Sequence, residues 1–465
     1  MNVVPKYNSA QELLDIAIQT NGHRISEYNI NKRSLAKSNK GVIGQIIEEG
    51  VFHYPVNSRA QADFEDLGVE LKVTGLKKIK KNEYVAKERL VLNIINYMLE
   101  YNIPFEESSF WKKNASLLLM FYLYEDRNDF DFRMIDSILH TFSGEDLEII
   151  KQDWKKISDK INNGLADTLS EADTMYLGAC TKGADSASSY RQQPASNKLA
   201  KQRAYCLKQS YMNTIIKRNF IGEKCASIVS FEELKNSTFE MIMDSKLSQY
   251  YGMSENEVFE KFNIKNSSRM KNRFNILVAA MLGINGHINK TDEFQKANLE
   301  LKTIRIEENG TIKEHMSFPT FKYTEIVKEK WETSTLREKF NTTKYMFVVF
   351  KKKNGIYYFD KIKFWNMPLA ILDNQVKDTW KKTIEVIMSG NIVKGIDSKG
   401  HYKTNFPTSK LNHICHVRPH DQTGINKSGK GYELPVKDKF TQLNKYTKHC
   451  FWLDKKLILS VIKQH

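Results

Sequence analysis

Five cysteines in 465 residues, at 180, 206, 225, 415 and 450, are few, odd in number and without a CxxC spacing. That excludes a disulfide framework and a CxxC zinc ribbon, and points to reduced thiols in a cytoplasmic protein. No stretch approaches the ~18 consecutive apolar residues of a membrane span. The opening residues, MNVVPKYNSAQELLDIAIQTNG, lack a basic head followed by an apolar run, so no signal peptide is expected. Acidic charge is also short: 55 Asp and Glu stand against 71 Lys and Arg, a formal charge of +16. A surplus of that size suits a polyanionic partner, most commonly nucleic acid. Hydrophobic residues at 41% and aromatics at 11% exclude global disorder. The length favours two domains over one core.

Six pairs of segments recur in the same order along the chain. YNINKRS at 28 matches FNIKNSS at 262, GVIGQIIEEGVF at 41 matches NRFNILVAAMLGI at 272, and GVELKVT at 68 matches NLELKTI at 298. FEESSFWKKNASLLLMFYLYE at 105 matches WETSTLREKFNTTKYMFVVFKKK at 331, YLGACTKGA at 176 matches HICHVRPHD at 413, and AYCLKQSYM at 204 matches CFWLDKKLI at 450. Their offsets drift as loop insertions would make them, so the chain reads as a diverged tandem duplication. Expected boundaries are 1–218 for the first domain, 219–239 for the connection and 240–465 for the second domain. The connecting region is not rich in Gly, Ser or Pro, so a loose tether is not expected.

Secondary structure reads as mixed within each copy. Ile43, Ile46, Ile47 and Val51 recur at helical spacing. GVELKVTGL alternates as a strand does, and SLLLMFYLYE and KYMFVVFKK read as buried central strands. The predicted class is α/β (α+β), each domain a mixed central sheet flanked by helices.

The chemistry is concentrated in QADFEDLGVELK. Six residues separate Asp63 from Glu70, and Lys72 lies two beyond it. Residues two apart on a strand share a face, so Glu70 and Lys72 point together while Val69 and Leu71 turn away. Two convergent carboxylates and the Leu71 backbone carbonyl suit a hard cation such as Mg²⁺. A lysine beside it can orient water and stabilise charge at phosphorus. Glu65 and Asp66 compete with Asp63 for the first position. The second copy repeats the layout with Glu293, Glu300 and Lys302, with Asp292 as a substitute for Glu293. It carries Ala279 or Ala280 where the first copy has Glu48.

The order KGVIGQIIEEG, then Asp, six residues, Glu, one residue and Lys, resembles the MutH mismatch-repair endonucleases. It resembles more closely the Sau family of GATC-cutting type II restriction endonucleases, through KERLVLNIINY (87–97), CTKGA (180–184), AKQRA (200–204), CLKQSYM (206–212) and ICHVRPH (414–420). The resemblance implies two MutH-type domains and Mg²⁺-dependent cleavage of both strands of duplex DNA at GATC. It implies metal ligation by Asp63 and Glu70, a water-directing role for Lys72, and completion of the acidic cluster by Glu48. It implies DNA contacts by Lys182, with Arg203 and Lys208 in the basic run that follows. In the second copy Arg418 matches the recognition arginine that Cys180 replaces in the first, and His420 replaces the adjoining lysine. The second copy is expected to bind a further DNA site as an allosteric effector without cutting, in a protein monomeric in solution and dimeric on DNA. Cys206 stands where MutH has a tyrosine associated with sensing adenine methylation, so cutting irrespective of methylation is expected. A MutH-like nicking enzyme and a non-catalytic DNA-binding regulator are the alternatives. HICHVRPH also offers His413, Cys415, His416 and His420 to zinc, at a spacing that fits no standard finger.

Overall fold

In the computed structural model, residues 5–37, 39, 41–56, 60–80, 83–182, 189–223, 225–265, 272–398, 400–420 and 431–464 are described. The chain forms two compact units, the first comprising Met1–Ile242 and Asn289–Leu299, the second Met243–Ile288 and Glu300–His465. Among the described residues no helix is long and apolar enough to cross a membrane.

In chain order the strands of the first unit are β1 (Val69–Lys80), β2 (Glu83–Ala86), β3 (Leu90–Ile94), β4 (Ser116–Leu123), β5 (Arg133–Thr141), β6 (Leu177–Thr181), β7 (Tyr190–Gln193), β8 (Ser196–Lys201) and β9 (Arg203–Leu207). They make a four-stranded sheet of order β2-β1-β4-β5, a three-stranded sheet β3-β9-β6 and a hairpin β7-β8. In the larger sheet β1 runs parallel to β4, while β2 and β5 are antiparallel neighbours. The mixed sheet expected from sequence is present, and SLLLMFYL forms its buried inner strand β4.

Helices α1 (Ala10–Ile18), α2 (Val42–Gly50), α3 (Ser109–Asn114), α4 (Gly144–Asn162) and α5 (Gln209–Ile221) complete the main frame of this unit. Ser9 caps α1 by accepting the Glu12 N–H, and Ser108 caps α3 by accepting the Trp111 N–H. The helical spacing of Val42, Ile43, Ile46 and Ile47 buries one face of α2 with Val69, Leu71, Leu118 and Met120 of β1 and β4. Gly50, the last residue of α2, is required by contact: a Cβ there would lie 1.8 Å from the Tyr28 carbonyl oxygen. Asp153 of α4 is 1% exposed. Its carboxylate accepts the Met175, Tyr176 and Leu177 N–H groups at 2.6, 2.6 and 3.0 Å, fixing the entry to β6. Burial raises its pKa against those donors.

The boundaries differ from the sequence expectation in two places. The region 219–239 is built into the first unit, where Gln152 Nε2 donates to the Leu234 and Ser237 carbonyls and Lys156 pairs with Glu240. Residues 289–299 also belong to that unit. Their helix, Asp292–Ala297, is tied by ion pairs from Arg218 to Asp292 and from Lys296 to Asp146. Buried ion pairs and backbone caps hold this segment, and neither leaves a mark on hydrophobic periodicity.

The second unit contains β10 (Leu299–Ile306, from Glu300 onward), β11 (Met316–Phe321), β12 (Lys344–Lys353), β13 (Ile356–Trp365), β14 (Val393–Ile396), β15 (Tyr402–Thr404), β16 (Cys415–Pro419), β17 (Tyr432–Glu433), β18 (Lys445–Tyr446) and β19 (His449–Leu453). Two three-stranded sheets, β10-β12-β13 and β11-β19-β16, and the pairs β14-β15 and β17-β18 result. The run KYMFVVF is again a buried middle strand, β12. Trp331, Phe340, Tyr345, Phe347 and Trp380 anchor its core.

Replacing Asp153 by Ala would orphan three buried backbone donors. Equilibrium denaturant unfolding of that variant should show a loss of roughly 3–5 kcal/mol, against under 1 kcal/mol for an exposed Asp15→Ala control.

Candidate active site

A short turn brings Asp63 to Glu70. Phe64 and Val69 exchange backbone hydrogen bonds of 3.0 and 3.3 Å around the 3₁₀ turn Glu65–Leu67. Gly68 closes it at φ +63°, a conformation that glycine adopts without strain. Asp63 thereby folds back beside β1: its Oδ2 accepts the Leu71 N–H at 3.1 Å, and its own N–H donates to Glu70 Oε2 at 3.1 Å. Glu65 and Asp66 point to solvent. The alternation read from sequence holds, since Val69 and Leu71 are in the core while Glu70 and Lys72 share the other face.

Glu70 is 2% exposed. Lys72 Nζ lies 2.5 Å from its Oε1, and Lys113 Nζ lies 3.4 Å from its Oε2 and donates to the Gln61 carbonyl at 2.8 Å. Sequence reading passed over Lys113, which has no fixed spacing from Glu70. Its position follows from topology: the parallel register sets Glu70 opposite Leu117, and α3 delivers Lys113 just before that strand.

Glu48, at the end of α2, completes the group electrostatically. Burial, reinforced by the charges of Asp63 and Glu70, lifts its pKa from 4.5 to about 7. Glu70 is raised as well, chiefly by burial, with Lys72 opposing and Asp63 adding to the rise. Glu48, Asp63 and Glu70 thus place more carboxylates together than so buried a site holds fully ionised, even with two lysines present. Carboxylate and carbonyl oxygens under mutual repulsion fit a hard divalent cation. Asp63 and Glu70 are the neighbouring carboxylates that could offer oxygens to one, with Glu48 coupled to them through charge.

The corresponding group in the second unit is balanced. Glu300 lies 3.0 Å from Lys302 and also meets Lys339. Burial would raise its pKa, but the two ammonium groups outweigh burial and hold it below the usual carboxylate range. Glu293 is placed in the first unit, 2% exposed, where it accepts hydrogen bonds from the Ser227 hydroxyl and the Ile228 and Val229 N–H groups. Asp292, the substitute considered, is ion-paired to Arg218 and Lys296.

The candidate DNA contacts divide by exposure. Lys182 is half-buried at the end of β6; Gly183 and Ala184 of the same motif lie outside the described residues. Arg418 and His420 are exposed, the Arg418 guanidinium 5.5 Å from the Trp452 ring centre. Arg203 and Lys208 require correction. They are 4% and 2% exposed, with Arg203 donating to the Ala179 carbonyl and Lys208 to the Thr174 and Ala297 carbonyls. Their cationic heads are spent on backbone acceptors inside the first unit and do not face a phosphate. A basic run reads as a surface in sequence, and only packing shows which of its members turn inward.

The DNA mismatch repair enzyme MutH family model matches residues 52–153 and 282–378. The chain is also 35% identical over 462 residues to the type II restriction enzyme Sau3AI of Staphylococcus aureus, a match covering 92% of this chain and 94% of that protein.

With a folded-state pKa of about 7 against an ordinary 4.5, Glu48 keeps its proton in the folded protein over that interval. Glu48's contribution to the stability of the metal-free protein should therefore fall as pH rises from 4.5 to 7, against the opposite contributions of the buried His140, His416 and His449, whose pKa values burial lowers to about 4. Relative to wild type at each pH, Glu48→Gln should remove this contribution, raising stability at pH 8 by roughly 1–3 kcal/mol and leaving it unchanged near pH 4. Thermal unfolding in EDTA across that range checks it.

Proposed function

The chain belongs to the MutH-related Sau family of type II restriction endonucleases, and we propose that it makes Mg²⁺-dependent double-strand cuts in DNA at GATC, with the first unit cutting and the second acting as a DNA-binding effector. The observation that carries this reading is the difference between the two acidic groups: surplus negative charge at Glu48, Asp63 and Glu70, against the self-neutralised Glu300–Lys302–Lys339 cluster.

Phosphodiester hydrolysis needs an oriented water, relief of charge developing at phosphorus and a stabilised leaving oxygen. Asp63, Glu70 and the Leu71 carbonyl would hold Mg²⁺ beside Glu48, and the ion would supply Lewis acidity and acidify bound water. Lys72 and Lys113, both within ion-pair reach of Glu70, set positive charge where the phosphoryl oxygens gain negative charge. Lys72, on the same face of β1 as Glu70, is placed to orient the attacking water. Glu48, coupled through charge to Asp63 and Glu70, is the carboxylate of the group left to accept a proton from that water.

Arg418, exposed at the end of β16, supports DNA binding by the second unit, because a planar guanidinium can read a guanine edge with paired hydrogen bonds. Lys182 is the remaining candidate contact of the first unit, since Arg203 and Lys208 are buried. Cys206, where MutH has tyrosine, is fully buried and supports cutting irrespective of adenine methylation.

Purified protein should linearise GATC-containing plasmid in Mg²⁺ and leave it intact in EDTA. Glu70→Ala and Lys113→Ala should each slow cutting roughly 10²-fold or more, while Glu300→Ala should cut at close to the wild-type rate. Abolition of cutting by Glu300→Ala with DNA binding unchanged would reverse the assignment of the two units. Accumulation of nicked circles without linear product would favour a nicking enzyme. Methylated and unmethylated plasmids should be cut at similar rates; strong inhibition by methylation would refute that part.

A further inference from the structure

In the second unit, three neighbouring strand ends converge on one point. β19 is the middle strand of its sheet, and Leu453 pairs with Met316 of β11 on one side and Cys415 of β16 on the other. His315 just precedes β11, His416 lies on β16 and Asp454 follows β19, so register alone brings them together. Asp454 Oδ2 lies 3.8 Å from His315 Nδ1 and 3.9 Å from His416 Nδ1. The two imidazole rings meet edge to face with centroids 4.5 Å apart. One donor atom from each of the three residues falls within 4.8 Å of the others.

His416 makes this more than a packed corner. It is 2% exposed, and among the described residues neither ring nitrogen has a hydrogen-bond partner. An unsatisfied buried polar group is destabilising, a cost that a phenyl ring of similar volume would not incur.

We propose that His315, His416 and Asp454 form a structural site for a divalent transition metal, with Zn²⁺ the best-fitting ion and water completing the coordination. Two imidazoles and a carboxylate are a common zinc donor set. They differ from the all-oxygen donors at Glu70, which suit Mg²⁺. Two existing hydrogen bonds would be exchanged for metal contacts: His315 Nδ1 now accepts the Lys455 N–H at 3.1 Å, and Asp454 Oδ2 accepts the Ser409 hydroxyl. The cap from Lys456 N–H to Asp454 Oδ1 at 2.9 Å uses the other oxygen and can remain. The nearby positive charges of Arg418 and Lys455 oppose a cation, and the Asp454 carboxylate offsets them. The ion would pin the ends of β11, β16 and β19, and with them the strand that carries Arg418.

These are not the neighbours that sequence spacing offered. His413 and His420 are exposed, and Cys415 and His416 are successive strand residues that project to opposite faces. Of the set His413, Cys415, His416 and His420, only His416 belongs to the cluster.

The test uses the full-length Glu70→Ala protein, which removes the acidic site as a competing zinc binder. After equilibration with Zn²⁺ and gel filtration, mass spectrometry should find about one zinc per chain, and added Zn²⁺ should raise the melting temperature while Mg²⁺ does not. Adding His416→Phe, an apolar replacement for the unpartnered ring, should abolish both the retained zinc and the zinc-induced shift while leaving circular dichroism unchanged. Asp454→Asn, which preserves a helix-capping oxygen, should do the same and serves as the readout if the phenylalanine variant does not fold. Absence of retained zinc in the parent, or equal retention and shift in parent and variant, would overturn the proposal.

Discussion

Repulsion among three carboxylates at one end of β1 is the constraint around which the first unit is arranged. Glu70 is buried, Asp63 is hydrogen-bonded beside it, and burial together with those two charges lifts the pKa of Glu48 to about 7. Such a concentration of charge persists only where rigid surroundings enforce it. Here the enforcement comes from the apolar packing of α2 on β1 and β4, and from the Phe64–Val69 turn closed by Gly68. Lys72 and Lys113 reduce the repulsion without cancelling it.

The second unit shows what remains when that constraint is relaxed. Glu300 keeps its lysine, gains Lys339, and settles into an ordinary ion-paired state with a lowered pKa. The carboxylate at position 293 caps the backbone at 227–229 within the first unit. A single carboxylate between two ammonium groups has little electrostatic reason to bind a divalent ion. The same strand motif thus has opposite charge balance in the two units, and the difference lies in the surrounding residues rather than in the ExK pattern.

Much of the geometry was legible in the sequence because it obeys short-range rules. Strand alternation put Glu70 and Lys72 on one face and Leu71 in the core, and helical spacing identified the buried stripe of α2. The buried middle strands β4 and β12 were readable as apolar runs too short for a membrane. Lys113 was invisible because its link to Glu70 runs through the parallel β1–β4 register, which no local spacing encodes. Arg203 and Lys208 misled for the converse reason: lysine and arginine are seldom buried, and only the arrangement of the Ala179, Thr174 and Ala297 carbonyls accommodates them.

By itself, the sequence determined the mixed α/β class, the repeated order of segments and the residues available for chemistry, since these depend on periodicity and composition. Tertiary structure decided which charges meet. Charge coupling falls off with distance and is screened by water, so burial and register settle whether two carboxylates repel or ignore each other. That physics separates Glu48, Asp63 and Glu70 from Glu293 and Glu300. It also joins His315, His416 and Asp454, which are far apart in the chain, at one corner of a sheet.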